Sequence, residues 1–280
     1  MIIDCHTHLG RNEHINARVD QLLKSMDEAN IDKAMVFAGE LNGLSTHSML
    51  EEIKPHRDRL YGVASWDFEC HLPRAMPNGD LIDQSEYLAR LYQSGEIVAV
   101  KFYTGYYHKM PSDLGWALDS LNKVGCPAIF HCGDCLNSVK CAKLKYAHPL
   151  NIDEVAVDFP NMNFIIAHMG YPWHRDAAEV CYKNDNVYSD ISGFVYGGFA
   201  EGDMIKFKKV LNEFLDIAGS DKLLFGTDYP ISWQDAYVDV LDTSAGEYLT
   251  AQYLTKNVIK AFKLQSKEDN EILHIQGRGT

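Results

Sequence analysis

Two histidines one residue apart, His6 and His8, close the first apolar run of the chain, Ile3-Asp4-Cys5-His6-Thr7-His8. Residues i and i+2 of a strand project to the same side, so imidazoles at this spacing can meet one cation. The pair by itself fits equally well two polar residues that fill a strand end with ordinary hydrogen bonds. Three more groups stand at equivalent places. His131 ends Ala128-Ile129-Phe130 two residues before Gly133, and His168 ends Ile165-Ile166-Ala167 two residues before Gly170. Asp228 follows Leu223-Leu224-Phe225-Gly226-Thr227. A carboxylate in such a place is a costly buried charge unless a partner or a cation meets it. Four imidazoles and an acid, all at the ends of apolar runs, point to a divalent metal site.

Those groups need a scaffold that gathers distant strand ends. Apolar runs at residues 1–5, 33–38, 60–64, 97–102, 127–130, 163–167, 187–191 and 222–225 alternate with stretches of helical spacing. Runs that are apolar nearly throughout suit parallel strands buried on both faces. Leu22, Leu23, Met26 and Ala29 form one helical stripe, and Val210, Leu211, Phe214 and Leu215 form another. Such alternation builds either an open doubly wound sheet or a closed barrel. A dinucleotide-binding sheet carries a glycine-rich phosphate loop after its first strand, where this chain has His-Thr-His. The expected fold is therefore α/β, a single (β/α)8 TIM barrel spanning residues 1–280, with no linker or charge block to divide it. Active-site residues of such barrels lie where strands end and βα loops begin, which is where all five groups fall. Two long loops, residues 69–83 and 133–150, are expected to shape a pocket on that face.

Hydrophobic residues make up 46% of the chain and charged residues 23%, a globular balance that argues against disorder. The formal charge of -13, without a basic run, repels phosphate backbones and anionic lipid. Nucleic acid and membrane are thus not expected partners. A small-molecule substrate is, and even an anionic one is compatible with a bound cation. No apolar stretch approaches the ~18 residues of a membrane span. The opening residues lack the basic and apolar regions of a secretory signal. With seven irregularly spaced cysteines, the reading is a cytoplasmic protein with free thiols, and a homo-oligomer is left open.

The sequence resembles the amidohydrolase-related family of the amidohydrolase superfamily, the branch that includes aminocarboxymuconate-semialdehyde and resorcylate decarboxylases. The motifs that carry the resemblance are the 3–8 run quoted above, Val100-Lys101-Phe102 and Phe130-His131-Cys132-Gly133. They continue through His168-Met169-Gly170-Tyr171-Pro172-Trp173, Tyr188-Ser189-Asp190-Ile191-Ser192-Gly193 and Phe225-Gly226-Thr227-Asp228-Tyr229-Pro230. The resemblance implies a metallo-dependent hydrolase barrel with one divalent ion held by His6, His8, His131 and Asp228, and His168 beside the metal. Zinc suits this donor set best, and manganese, iron or cobalt also fit. Metal-activated water would attack an amide, lactone or ester, with Asp228 deprotonating it and His168 polarising the substrate or shuttling a proton. The alternative is a non-oxidative decarboxylase of an aromatic or muconate-type acid. Such relatives carry a longer insertion after strand one with an arginine, whereas residues 10–19 here are brief and offer only Arg11 or Arg18. A third reading, a non-catalytic binding barrel that the metal merely stabilises, fits less well, because structural zinc sites fill every position with protein ligands.

Lys101, Tyr103, Trp173, Arg175 and Tyr229 are candidate substrate-binding residues, with Arg175 a partner for a carboxylate. Lys101 would be carbamylated in a two-metal relative; in the one-metal branch it pairs with substrate or a neighbouring acid. Cys132, Cys135 and Cys141 lack the pairing of a zinc knuckle, although Cys132 would be reactive if exposed near the metal. Asp190 and Ser192 read as holding a turn. His14, His47, His56, His71, His108, His148, His174 and His274 read as loop or surface residues.

Overall fold

The computed structural model describes residues 1–12, 15–39, 43–69, 74–75, 81–135, 139–244 and 249–264. His14, His71, His274 and most of the 69–83 loop lie outside them. Eight parallel strands follow one another around a single sheet in chain order. They are β1 (Ile3–His8), β2 (Lys33–Phe37), β3 (Leu60–Ser65), β4 (Ala99–Phe102), β5 (Ala128–Phe130), β6 (Phe164–Ile166), β7 (Val187–Asp190) and β8 (Leu223–Leu224). The sheet closes on itself: Cys5 N donates to Phe225 O, Asp228 N to His6 O and His8 N to Tyr229 O, at 2.9, 2.8 and 2.7 Å. This is the (β/α)8 barrel expected from the sequence.

The helices that cover the barrel are α1 (Val19–Glu28), α2 (Thr46–Ile53), α3 (Gln84–Gln93), α4 (Gly115–Val124), α5 (Asn151–Asp158), α6 (His174–Lys183), α7 (Glu201–Ala218), α8 (Gln234–Ser244) and α9 (Ala251–Ala261). Side-chain caps start three of them. Ser45 accepts from Ser48 N, Asp83 from Glu86 N and Thr250 from Tyr253 N, each satisfying an amide that the first turn leaves free. Period-2 alternation splits the core in two. Ala34, Val36, Val100, Phe102, Phe164 and Ile166 pack outward under the helices, whereas Met35, Phe37, Val63, Ala99, Ile129, Ile165 and Leu224 fill the barrel. Helix α9 plugs the end opposite the loops described below. Its Val258 and Ala261, with Phe262, join the interior cluster, and Thr255 Oγ1 accepts from Ile3 N at 2.9 Å.

Strand β1 departs from strict alternation in a way that matters for chemistry. Counting inward residues from Ile3 and Cys5 would give Thr7 next and turn both histidines outward. The pairing of β1 with β2 shifts register between Asp4 and Thr7, the signature of a bulge. The extra residue reverses the phase, so His6 stacks on the interior Phe37 at 4.2 Å between ring centroids and His8 lies 5.2 Å from His6.

Candidate active site

Asp4 holds the bulge. Its carboxylate is fully buried and accepts from His6 N, Thr227 N, Thr227 Oγ1 and Gln234 Nε2 at 3.1, 3.1, 2.6 and 2.8 Å. These bonds tie β1 to the turn after β8 and to the start of α8. Burial pushes the Asp4 carboxyl up to about 6, with the four bonds opposing that rise. Gly226 lets the two segments close, since a Cβ there would lie 3.0 Å from the His6 Cβ and 3.2 Å from Cys5 Sγ.

The result is a convergence of three donor atoms. His8 Nε2 lies 2.9 Å and His6 Nε2 3.7 Å from Asp228 Oδ1. Two ligands each about 2.1 Å from a tetrahedral zinc are ~3.4 Å apart, so this spacing fits a shared ion. The ring of His6 is oriented for it. His6 Nδ1 lies 2.9 Å from Asp190 Oδ2. Burial, then the Lys101 charge, drives the His6 imidazole down to about 3 despite Asp190. Burial alone would raise Asp190, but His6, His168 and Lys101 hold it below the ordinary carboxylate range. A neutral imidazole beside an ionised carboxylate donates from Nδ1, which leaves the lone pair on Nε2. His6 Nε2 is buried and has no hydrogen-bond partner among the described residues, as expected of an atom shaped for a cation.

Of the other expected site residues, His131 stands outside this group. Its Nε2 lies 2.9 Å from Asp134 O, and burial, His168 and Lys101 hold its ring well below the usual histidine value. The neutral ring therefore donates from Nε2 and keeps its lone pair on Nδ1. Among the described residues, the triads close enough to share an ion are His6, His8 and Asp228, and His6, His168 and Asp190. The second is already joined by hydrogen bonds: Asp190 Oδ1 accepts from His168 N at 2.9 Å, from Ser192 N at 3.1 Å and from Ser192 Oγ. Asp190 and Ser192 do hold the turn, as their positions suggest, and they also reach His6 and His168. Asp228 is kept ionised: burial raises its carboxyl, but the His8 hydrogen bond and the nearby histidines bring it below its usual range.

Lys101 continues the inward side of β4 from Ala99 and is fully buried. Its ammonium has no hydrogen-bond partner among the described residues and lies 5.2 Å from the Phe37 ring centroid and 5.3 Å from that of Tyr103. Burial lowers its pKa to about 8, against the pull of Asp190 and Asp228. The Tyr103 hydroxyl is likewise buried without a partner among the described residues. A cleft of about 190 Å³ opens above, lined in part by His131, His168, Asp228, Tyr106, Tyr171, Tyr196 and Lys206.

Of the expected substrate-binding residues, Trp173, Arg175 and Tyr229 are not among the described residues that line this cleft. Trp173 packs on His148 at 4.8 Å, and the Arg175 guanidinium is 68% exposed and 3.9 Å from Glu213. Helix α6 begins at His174 and packs on α7, with the Arg175 side chain exposed. Tyr229 lines a separate groove with Gln21 and Lys24. A cation at the cleft is Lys206 of α7, which lies 4.9 Å from the Tyr171 ring centroid and 5.6 Å from that of Phe194. No strand-end motif marks it. Cys132 is buried with its thiol pushed up to about 12, so the exposure that a reactive thiol requires is lacking.

A barrel with a His-His-Asp cluster at its strand ends defines a class of barrel enzymes, and the comparisons narrow it. Residues 3–262 match the amidohydrolase family model, and the chain belongs to that family. A search of curated proteins finds no match. Among solved structures, the chain is similar to a probable 2-pyrone-4,6-dicarboxylic acid hydrolase from Acinetobacter baumannii with citric acid bound. The TM-score is 0.69 at 18% identity, covering 94% of this chain and 99% of that one. An amidohydrolase from Burkholderia multivorans with bound zinc gives 0.64 at 13% identity, covering 95% and 100%. A dihydroxybenzoic acid decarboxylase from Polaromonas sp. JS666, with manganese and 2-nitroresorcinol bound, gives 0.63 at 15% identity, covering 96% and 98%. No helix among the described residues is long and apolar enough to cross a membrane.

Proposed function

We propose that the chain is a metal-dependent hydrolase that opens an amide, lactone or ester of a small anionic molecule. The observation that carries this reading is the buried, unpartnered His6 Nε2 beside His8 Nε2 and Asp228 Oδ1. His131, through its free Nδ1 lone pair, would complete the set. Zinc is the first choice of ion and manganese the second, and similar barrels have been solved with each. When bound, the ion supplies Lewis acidity and a water whose pKa falls to about 7. Asp228 Oδ1 faces the ligand group, while Oδ2 lies on the side of Gly193 and His168. Asp228 therefore orients the attacking water and takes its proton. His168, on the side of Oδ2, carries that proton to the leaving group.

Decarboxylation needs a proton delivered to carbon from the resting enzyme. Asp228 Oδ1 lies beside the nitrogens of His6 and His8, placed to accept a proton from a water held there, which favours hydrolysis. Lys206 supports the anionic substrate. The hydrogen bond with Tyr171 raises its pKa, so the ammonium stays charged within a chain of formal charge -13.

A screen of lactones, amides, esters and aromatic acids, run with zinc and with a chelator, tests the reading. Chelator-sensitive ring opening or amide cleavage is expected, and carbon dioxide release from aromatic acids without hydrolysis would overturn it. On the substrate found, Lys206→Met raises KM about tenfold, the scale of one charge-assisted contact, and leaves an uncharged analogue unaffected. An equal rise for both would remove the anionic requirement.

A further inference from the structure

We infer that Ser192 is a positioning residue that sets which nitrogen of His168 carries the proton, and so makes Nε2 the proton-accepting atom. The inference rests on the reading of His168 as the proton carrier and extends it to the group behind it. Ser192 Oγ contacts three groups: Asp190 Oδ1, His168 Nδ1 at 2.9 Å and His6 Nδ1 at 3.1 Å. A hydroxyl has a single proton to donate, and an ionised carboxylate can only accept. Asp190 Oδ1 already accepts from the amides of His168 and Ser192, so it meets the hydroxyl as an acceptor and the serine proton is committed to it. The oxygen of Ser192 is then an acceptor towards the histidines, and His168 meets it with Nδ1–H. A second acceptor agrees, because the Ser192 carbonyl lies 3.3 Å from the same nitrogen and cannot donate. With Nδ1 protonated, the neutral ring has its lone pair on Nε2.

The surroundings hold this arrangement rigidly. His168 N donates to the same Asp190 oxygen at 2.9 Å, so the backbone and ring of His168 are anchored to one carboxylate, the ring through Ser192. Gly193 follows directly, and a Cβ there would lie 2.7 Å from His168 Nδ1. Asp190 thus fixes two rings at once. It holds His6 directly through Oδ2, leaving Nε2 for a cation, and His168 through Ser192, leaving Nε2 for a proton.

The test is the histidine tautomer itself, read by two-bond 1H–15N correlation on the zinc-loaded protein labelled with 15N-histidine. The His168 signals are assigned by their loss in His168→Gln. The wild type is expected to show His168 as Nδ1–H. Ser192→Ala leaves only the longer carbonyl contact, so the Nε2–H form, which free histidine prefers, becomes populated. Its kcat is expected to fall at least tenfold with KM and zinc content unchanged, and Ser192→Thr, which keeps the hydroxyl, restores both tautomer and rate. Finding His168 as Nε2–H in the wild type, or unchanged in Ser192→Ala, would overturn the inference. The spectrum is independent of substrate, so a protein that hydrolyses nothing yet shows the expected tautomers loses the proposed activity and keeps the positioning role.

Discussion

His168→Ala is expected to retain its metal and to lose turnover by roughly 10²- to 10⁴-fold, the range for removing a general acid–base group. The separation of the two effects follows from where the ring sits. Its centroid is 4.8 Å from that of His6 and 5.0 Å from that of His131, close enough to exchange protons with groups at the cluster. Its Nδ1 is engaged by Ser192, so His168 is not needed to complete the His6, His8 and Asp228 triad. Zinc content and kcat measured on one preparation decide the matter. Loss of zinc in the variant would make His168 a ligand and transfer its proposed role elsewhere.

The second large effect is expected from one methyl group. Gly193 has a φ of +69°, and an added Cβ would meet His168 Nδ1 at 2.7 Å and Asp228 Oδ2 at 3.0 Å. Neither neighbour can yield freely, because both have left-handed backbones themselves, with φ of 63° at His168 and 71° at Asp228. The Asp228 turn is pinned by its amide to His6 O at 2.8 Å, and His168 by its amide to Asp190. Gly193→Ala therefore displaces a proposed ligand and the proton carrier together. A misplacement of about 1 Å costs on the order of 10²-fold in rate, and the strained φ adds about 1–3 kcal/mol of destabilisation. Steady-state kinetics and thermal melting should show both losses. A variant with wild-type kcat would mean that His168 and Asp228 need not hold their present geometry.

The strand and helix alternation is legible because the strands lie in apolar runs that suit burial on two faces, and His-Thr-His in place of a glycine-rich loop tips the reading to a barrel. The strand-end histidines were legible because polar groups that interrupt such runs are costly unless they have work to do. What could not be read was phase and rotation. Simple alternation from Ile3 turns His6 and His8 outward, and only the bulge between Asp4 and Thr7 brings them in. Arg175 follows a strand-end motif, but the direction of a helix side chain depends on where the helix starts and what it packs against, which the motif does not give. Lys206 sits near Lys208 and Lys209 on the same helix, and nothing in that run separates the one that reaches the cleft. Asp190 and Ser192 could be placed at a turn from their spacing, but their link to His6 and His168 joins residues 184 and 24 positions apart. His131 is the reverse case. Its motif marks it as a ligand, while its Nε2 is turned to the Asp134 carbonyl and only Nδ1 is left for the role.

Equilibrium dialysis against zinc followed by mass-spectrometric metal analysis addresses the ion directly, in the wild type and in His6→Ala, His8→Ala, His131→Ala and Asp228→Ala. One zinc per chain in the wild type and a loss of affinity in all four variants is the expected result. Two ions per chain, none, or undiminished binding in the variants would contradict the assignment.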